Sequence, residues 1–240
     1  MNVKTIRLSG RRQVAEGTLE CAFTRPADLE FVPGQHINIK LPVLIAEDAK
    51  GPRRTFTIAS SPTEADLLIA TRMTGSGFKK TLAQIEIDTS IEYLGPMGEF
   101  TLSEKVDRAV FIAGGIGITP FRSILLSLTP ARAPESLILI YSNRSKASAA
   151  YHDLFTELER DNKIPFRYIP TLSDPSVSDV EGSGETRMVD LRFLRDHVEL
   201  FSTSSYYLCG PPQMVVALTD TLRAAGIDAG NVRSESFFGY

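Results

Sequence analysis

Residues 53–61, read as RRTFTIASS, combine residue types that suit a phosphate-bearing aromatic cofactor. In an extended strand, Arg54, Phe56 and Ile58 point to one face and Thr57 to the other. An arginine supplies charge for a phosphate, an aromatic ring supplies a stacking surface, and a hydroxyl can bond to a ring heteroatom. The alternative is an ordinary strand that carries a solvated arginine pair.

A second stretch of this kind is residues 73–82, MTGSGFKKTL. Gly77 loosens the backbone, and Lys79, Lys80 and Thr81 follow where a helix is predicted to begin. Free N–H groups of a first helical turn, two cations and a hydroxyl suit a pyrophosphate. The alternative is a solvated lysine pair on a turn.

Residues 113–120, AGGIGITP, lie between a continuous apolar run and a segment with the apolar spacing of an amphipathic helix. Three glycines within four positions allow close backbone approach, and the N–H groups of the following helical turn can face an anion. Pro120 suits that first turn because its missing N–H would have no partner within the helix. The alternative is a tight strand-to-helix turn without a ligand.

Three other predicted strand ends carry polar or reactive groups. Residues 142–144, SNR, lack the acidic residue that usually holds a ribose hydroxyl, so Arg144 could bind a 2′-phosphate or be a solvated loop residue. Residues 209–214, CGPPQM, place a thiol beside a tight turn, although a buried inert cysteine is the usual case. Residues 234–240, SESFFGY, add aromatic rings and one carboxylate, or form a core strand with a frayed tail.

The predicted secondary structure that positions these residues changes near residue 104. Before it, short alternating segments predict six strands of an antiparallel barrel or sandwich, at residues 5–8, 18–23, 36–41, 55–59, 67–72 and 91–94. After it, strands alternate with helices, which predicts a doubly wound parallel sheet that binds ligands beyond the carboxyl ends of its strands. Those five strands are predicted at residues 110–113, 137–141, 166–169, 206–209 and 232–237, with helices at 149–160 and 191–198 and others beginning at 120 and 212.

Composition argues against several classes of function. The net charge of −3 gives no bulk electrostatic basis for binding nucleic acid or an anionic membrane. There is no apolar run near the roughly 18 residues of a membrane span, and the N-terminus lacks the apolar core of a signal peptide, so a cytoplasmic location is expected. Two cysteines and three scattered histidines give no metal-ligand spacing, so no metal site is predicted.

In this order and spacing, the motifs resemble those of the ferredoxin–NADP reductase superfamily. RTFT at residues 54–57 resembles its flavin motif Arg-x-Tyr-Ser/Thr, and GPMGEF at 95–100 resembles the end of its flavin barrel. AGGIGITP and CGPPQM resemble its two nicotinamide-domain motifs, and ESFFGY resembles the Glu-x-Phe ending of several members.

The resemblance implies a six-stranded antiparallel flavin barrel at residues 1–104 and an α/β NAD(P) domain with a five-stranded parallel sheet at 105–240. It places Arg54 at the flavin phosphate, Phe56 on the ribityl chain or ring, and the Thr57 hydroxyl as a donor to flavin N5. Cys209 and Glu235 would flank the nicotinamide and complete the catalytic set with Thr57. The full set of expected cofactor-binding residues is Arg54, Phe56, Thr57, Ile58, Thr71, Gly77, Lys79, Lys80, Thr81, Gly115, Gly117, Thr119, Pro120, Ser142, Arg144, Cys209, Gly210, Pro211, Met214, Phe237 and Tyr240.

Three departures from the family pattern concern the cofactors. Phe56 lacks the tyrosine hydroxyl, and Lys79 stands where members carry a serine in the pyrophosphate loop, which keeps FMN open as an alternative to FAD. Arg144 and Tyr151 resemble NADP-using bacterial members. Asp174 stands where some of those carry a second arginine and would repel a 2′-phosphate, so NADPH is favoured only slightly over NADH.

The implied reaction is hydride transfer from NAD(P)H to bound flavin, followed by electron transfer to a separate protein such as ferredoxin, flavodoxin or an oxygenase component. A monomer that binds neither nucleic acid nor membranes is expected. One alternative is a flavin reductase that releases free reduced flavin. Another is a flavin- or NAD(P)-binding module that regulates a partner without catalysis.

Overall fold

The computed structural model describes residues 3–173 and 185–238, and its internal contacts divide them into two compact units. The first unit contains residues 3–101 and 119–127. The second contains residues 102–118, 128–173 and 185–238.

A six-stranded antiparallel sheet forms the first unit, as predicted, in the order β4-β3-β6-β1-β2-β5. The ladder is open, because β4 and β5 form its two edges. A backbone bond of 2.8 Å from Ala59 N, just after β4, to Leu68 O on β5 links those edges. The strands are β1 Lys4–Ala15, β2 Thr18–Thr24, β3 His36–Lys40, β4 Arg53–Thr57, β5 Asp66–Arg72 and β6 Ser90–Met97.

Strand β1 is longer than the predicted residues 5–8. Its first part alternates buried and exposed positions, with Ile6 and Leu8 in the core. Register irregularities at Leu8/Gly10 and Gln13/Ala15 interrupt that alternation, so the second part lacks the period of two that identifies a strand from sequence.

Two helices belong to the first unit. α1, Gly77–Gln84, begins two residues earlier than Lys79, and Ser76 caps it by accepting from Lys79 N at 3.2 Å. α2, Thr119–Ser127, follows the AGGIG turn in sequence, and its side chains Phe121, Ile124 and Leu125 are buried.

The second unit is built on the predicted five-stranded parallel sheet, in the order β11-β10-β7-β8-β9. β7 lies at the centre and its core positions are almost all apolar, as both faces of a parallel strand are covered. The chain runs from β7 outward to β9 on one side and then to β10 and β11 on the other, which makes the β7/β10 boundary the switch point where such sheets bind ligands. The elements are β7 Arg108–Gly114, β8 Ser136–Asn143, α3 His152–Asp161, β9 Phe166–Leu172, α4 Leu191–His197, β10 Ser205–Gly210, α5 Pro212–Ala224 and β11 Val232–Ser236, with a 3-10 turn at Gly115–Ile118.

None of the helices within the described ranges has both the length and the apolar character that a bilayer crossing would need.

Candidate functional site

Strand β4 presents the side chains of the predicted flavin motif. Ile58, just beyond it, is fully buried in the core, and the half-buried Phe56 ring packs 5.9 Å, centroid to centroid, from Phe78 of α1. Thr57 is 5% exposed, and its hydroxyl makes no hydrogen bond to any residue that the structure describes. Its hydroxyl is therefore available as a donor to a ligand at the end of β4.

The Arg54 side chain is held in one place by bonds to its own loop. Its guanidinium lies 5.1 Å from the centroid of the Phe78 ring, and Nη2 donates to Asp48 Oδ1 at 2.5 Å. Nη1 donates to three backbone carbonyl oxygens, those of Lys50 at 3.1 Å, Gly51 at 2.9 Å and Arg53 at 2.6 Å. The side chain is still 18% exposed, so one edge of it faces solvent.

Asp48 joins Arg54 to the first turn of α1. Its Oδ2 accepts from Phe78 N at 2.9 Å, and its Oδ1 also accepts from Lys50 N at 3.0 Å. The bond from the Phe78 amide and those from Lys50 and Arg54 lower the pKa of Asp48 despite its partial burial, so this side chain is an anion at neutral pH. These donors already bind a carboxylate, which shows that they suit an anionic group such as a flavin phosphate.

Gly77 and Thr81 lie beneath the loop that precedes β4. A Cβ at Gly77 would overlap the carbonyl oxygens of Ala46 and Glu47, so glycine is needed there for close packing of two backbones. The buried Thr81 hydroxyl accepts from Ile45 N at 2.9 Å and donates to Gly77 O at 2.8 Å. Both residues have packing roles in the structure, and their part in cofactor binding stays a prediction.

The remaining predicted residues of this region differ in exposure. Lys79 Nζ donates to Arg72 O at 2.7 Å, and burial lowers the pKa of its ammonium. Lys80 is exposed to solvent. Thr71 is buried on β5. Of the two lysines, only Lys80 therefore presents its charge to solvent.

The glycine motifs of the second unit pack against each other at the β7/β10 switch point. A Cβ at Gly117 would overlap the Cys209 carbonyl, and a Cβ at Gly114 would lie 2.6 Å from Met214 Sδ and 2.8 Å from Pro211 Cδ. Gly210 has φ +159°, and a Cβ there would lie 2.8 Å from Met214 Cε. The AGGIG and CGPPQM turns therefore pack directly against each other. This close packing explains why both turns carry glycines, and neither local sequence shows it.

Gly115, at φ +50°, begins the 3-10 turn and is half-buried. Thr119 and Pro120 are buried at the start of α2, which belongs to the first unit. Their predicted contacts with a dinucleotide stay predictions.

Cys209 and Glu235 are register partners on the parallel strands β10 and β11. The Cys209 side chain is completely buried, and burial with the nearby Glu235 carboxyl raises the pKa of its thiol well above the usual value. Burial likewise raises the pKa of Glu235. Phe237, just beyond β11, donates from its backbone N to Gly210 O at 2.9 Å. A neutral thiol here can shape a binding surface, but it is not an activated nucleophile.

At the end of β8, Ser142 is half-buried, Arg144 is exposed, and Asn143 is 5% exposed. The Asn143 backbone carbonyl accepts from Ser173 N at 2.8 Å, whereas its side-chain Oδ1 is buried without a hydrogen-bond partner among the described residues. The amide oxygen can accept a hydrogen bond from a sugar hydroxyl, and the exposed arginine beside it can bind a phosphate. The predicted residues Asp174 and Tyr240 lie outside the described residues.

The sequence predicted none of the charged pairs, and two of them lie beside the predicted flavin motif. One is Asp48 with Arg54; the other is Arg122 of α2 with Glu64, joined by two bonds of 2.8 and 2.9 Å. Arg122 also donates to Ala59 O at 2.6 Å, so α2 supports the segment that follows the flavin motif. An arginine within the apolar pattern of α2 is the only local signal, and it does not identify the partner 58 residues away.

A cavity of about 450 Å³ lies in the first unit, away from every predicted site residue. Two charged pairs lie in its wall, Arg12 with Glu20 at 2.5 Å and Arg122 with Glu64 at 2.8 Å. It is lined by Gly10, Arg11, Arg12, Glu20, Ala22, Glu64, Ala65, Asp66, Leu68 and Arg122.

The sequence matches two family models in series: an oxidoreductase FAD-binding domain over residues 5–102 and an oxidoreductase NAD-binding domain over residues 111–220. The fold is similar to the crystal structure of a ferredoxin NADP+ reductase from Neisseria gonorrhoeae with bound FAD and NADP. That match has a TM-score of 0.83 at 18% identity and covers 99% of this chain and 100% of the other. The chain belongs to the ferredoxin–NADP reductase superfamily. This confirms the predicted family and its cofactors, FAD and NAD(P)H.

Within this superfamily, the chain is similar to the phenol hydroxylase P5 protein of Acinetobacter pittii. The two are 30% identical over 214 residues, which is 87% of this chain and 58% of the relative. It is also 26% identical to the toluate 1,2-dioxygenase electron transfer component of Pseudomonas putida, over 96% of this chain and 66% of the relative. The chain therefore spans less than two thirds of the length of these curated relatives.

Proposed function

We propose that this protein is an NAD(P)H-dependent flavoprotein reductase that delivers electrons to a separate oxygenase component. Its two reported relatives bear the names of oxygenase systems, a phenol hydroxylase and a toluate dioxygenase. The described residues contain no group of three or more His, Cys, Asp or Glu side chains that could hold a metal ion. The proposal accordingly rests on the flavin and nicotinamide sites.

The Thr57 hydroxyl carries this proposal. It is the buried polar group of the flavin motif that makes no bond to a described residue, at the position where the family pattern places a donor to flavin N5. Bound FAD would supply the two-electron redox chemistry between NAD(P)H and the acceptor. Around it, Arg54 would hold the phosphate, Phe56 would cover the ribityl chain or ring, and Thr57 would orient the reacting edge.

On the nicotinamide side, Cys209 and Glu235 would act by position rather than by acid–base chemistry. Hydride transfer requires no general base, and the buried thiol of Cys209 is neutral because burial raises its pKa. The packed turns around Gly117 and Gly210 fix the strand ends that carry these side chains. Their expected role is to hold the nicotinamide ring against a defined surface.

We also propose a preference for NADPH over NADH. No acidic side chain occupies residues 142–144 to accept a ribose 2′-hydroxyl, and Arg144 is exposed at the end of β8. The buried Asn143 Oδ1, without a partner among the residues described, can accept a bond from a sugar hydroxyl of either coenzyme, so the preference rests on Arg144.

The test is anaerobic titration of the FAD-loaded protein with each coenzyme. NADPH should bleach the visible flavin band at a lower concentration than NADH, and Arg144→Gln should reduce that difference. Lys146→Gln, an exposed basic residue on the same loop, is the matched control. Bound flavin that neither coenzyme reduces would contradict the proposal and favour a regulatory binding module.

A flavin reductase that releases free reduced flavin is the second candidate function. One observation favours it: Arg54 and the Phe78 amide already bond to Asp48, so the flavin phosphate has a rival for both donors. Gel filtration of the flavin-loaded protein distinguishes the two. Flavin that elutes with the protein supports a bound electron carrier, and flavin that elutes separately supports release.

A further inference from the structure

The carboxylate of Asp48 occupies the place where an anionic ligand would meet both Arg54 and α1. Its side chain is 5% exposed, and both oxygens accept charge-assisted or backbone hydrogen bonds. The donors are the Arg54 guanidinium at 2.5 Å and the Phe78 amide at 2.9 Å. An ionised acceptor strengthens each of these bonds.

The other donors at the start of α1 are also used within the unit. Lys79 N donates to Ser76 Oγ at 3.2 Å, and Lys80 N donates to Ser76 O at 3.0 Å. With the Phe78 amide bonded to Asp48, the amides of residues 78–80 all have partners. An incoming phosphate would have to break one of these bonds to reach the helix.

We propose that Asp48 is an internal competitor for the flavin phosphate and keeps the bound flavin exchangeable. This inference rests on the proposed flavin site. In this proposal Asp48 lowers the affinity for the phosphate, whereas the residues of the family motif raise it.

The phosphate and Asp48 can be arranged in two ways, and both weaken binding of the phosphate. If the phosphate displaces Asp48, the carboxylate loses its bonds to Arg54 and Phe78. If both anions share the exposed edge of Arg54, two like charges lie within a few ångströms of each other and repel. In either arrangement, a negative charge at residue 48 weakens binding of a phosphorylated flavin.

Removing that charge should leave Arg54 in place. Its Nη1 still donates to the carbonyls of Lys50, Gly51 and Arg53, and an amide oxygen at position 48 can still accept a bond. Asp48→Asn therefore removes the charge and keeps one of the two acceptor oxygens, so that either the Phe78 amide or the Arg54 guanidinium is released for a phosphate. Glu47→Gln removes an equal charge from the neighbouring exposed residue and is the matched control.

The experiment compares FMN with riboflavin, which differ by a single phosphate group. The flavin-free full-length protein is titrated with each, and binding is read from flavin fluorescence at equilibrium. We expect wild-type protein to bind FMN little better than riboflavin. Asp48→Asn should bind FMN about tenfold more tightly, with riboflavin affinity unchanged, and Glu47→Gln should behave as wild type.

Two results would overturn the inference alone: wild-type protein that binds FMN far more tightly than riboflavin, or an Asp48→Asn protein with unaltered or weaker FMN affinity. Should Asp48→Asn fail to fold by circular dichroism, Asp48→Ser offers a neutral acceptor for the Phe78 amide, and the wild-type comparison stands without any variant. Failure of FAD to bind either wild type or Asp48→Asn in the same titration would instead overturn the proposed function.

Discussion

Around Arg54 in the first unit, donor groups are held in place by charged side chains, whereas around Gly117 in the second unit strand ends are held by close backbone packing. Both regions carry glycine-rich sequences that suit phosphate binding. In the first, a carboxylate of the chain itself already bonds to the donors. In the second, a side chain at Gly117 would strike the backbone of the opposite turn. Close packing of backbones therefore explains a glycine in both units, at Gly77 and at Gly117, and the first unit adds charged side chains that hold its donor groups.

Adding one methyl group at Gly117 should reduce the stability of the protein more than any of the substitutions that follow. Gly117→Ala puts a Cβ onto the Cys209 carbonyl, which is backbone and cannot move aside. We expect a loss of about 3 kcal/mol in the free energy of unfolding, at the upper end for overpacking. Gly75→Ala is the control, because nothing lies within 4 Å of its added Cβ. Urea unfolding measures both, and a Gly117→Ala protein as stable as wild type would refute the packing account.

The second-largest loss of stability is expected when the charged partner of the buried Arg122 is removed in the first unit. Glu64→Gln removes the negative charge that lies 2.8 Å from the Arg122 guanidinium, whose side chain is 6% exposed. We expect a loss of about 2 kcal/mol, less than for a fully buried pair because Glu64 is about a third exposed. Asp220→Asn, which breaks the exposed pair with Arg223, should cost under about 0.5 kcal/mol. If the two substitutions lower the free energy of unfolding equally, burial of Arg122 does not strengthen its ion pair.

The Glu64 pair also sets a pH dependence. Burial alone would raise the pKa of Glu64, but hydrogen bonds from Arg122 and Ser61 outweigh it, and the folded-state pKa lies below the ordinary 4.5. A depressed pKa gives stability that is present above the unfolded-state value and is lost as pH falls through the folded-state value. Wild type should therefore lose stability below pH 4.5 more steeply than Glu64→Gln. Parallel curves would contradict this.

In the Asp48→Asn protein, where the phosphate is expected to add affinity, a second substitution Arg54→Gln should weaken FMN binding about tenfold, the size of one charge-assisted bond to phosphate. Arg53→Gln is the neighbouring control, since Arg53 instead faces Asn38 and Glu92 at 3.3 and 3.6 Å. Flavin fluorescence titration reports both. Equal losses would indicate a diffuse electrostatic effect rather than a defined phosphate contact.

The smallest expected effect is at Thr57. Thr57→Ala should slow reduction of bound flavin by NADPH about fivefold, which corresponds to one hydrogen bond of about 1 kcal/mol. Thr55→Ala on the same strand is the control, because Thr55 is exposed and its hydroxyl accepts from Asn38 at 3.1 Å. An unchanged reduction rate for Thr57→Ala in stopped-flow would count against the contact with flavin N5.

Much of the fold was predictable because its signals are local. Alternation in the first half and apolar runs followed by helical spacing in the second identified each of the eleven strands within the described residues. The polar second part of β1 was missed, since bulges near Gly10 and Gln13 break the period of two. The grouping of α2 with the first unit was missed too, because its ties to Ala59 and Glu64 span roughly 60 residues.

The residues of the candidate site could be nominated from the sequence, but their contacts could not. Arg54 and Thr57 could be nominated from the residue types on one strand and from the family resemblance, and their roles in cofactor binding stay predictions. Asp48 could not, because its bond to Phe78 joins positions 30 residues apart and an acidic residue in a loop has no periodic signal. The contact of Gly117 with Cys209 likewise depends on two strand ends meeting across the sheet.

The most direct test of the account is to mix the FAD-loaded protein with NADPH without oxygen and follow the flavin's visible absorbance. We predict that the band bleaches and returns when an electron acceptor is added. A flavin that stays oxidised while the protein demonstrably binds NADPH would contradict the assignment as a reductase.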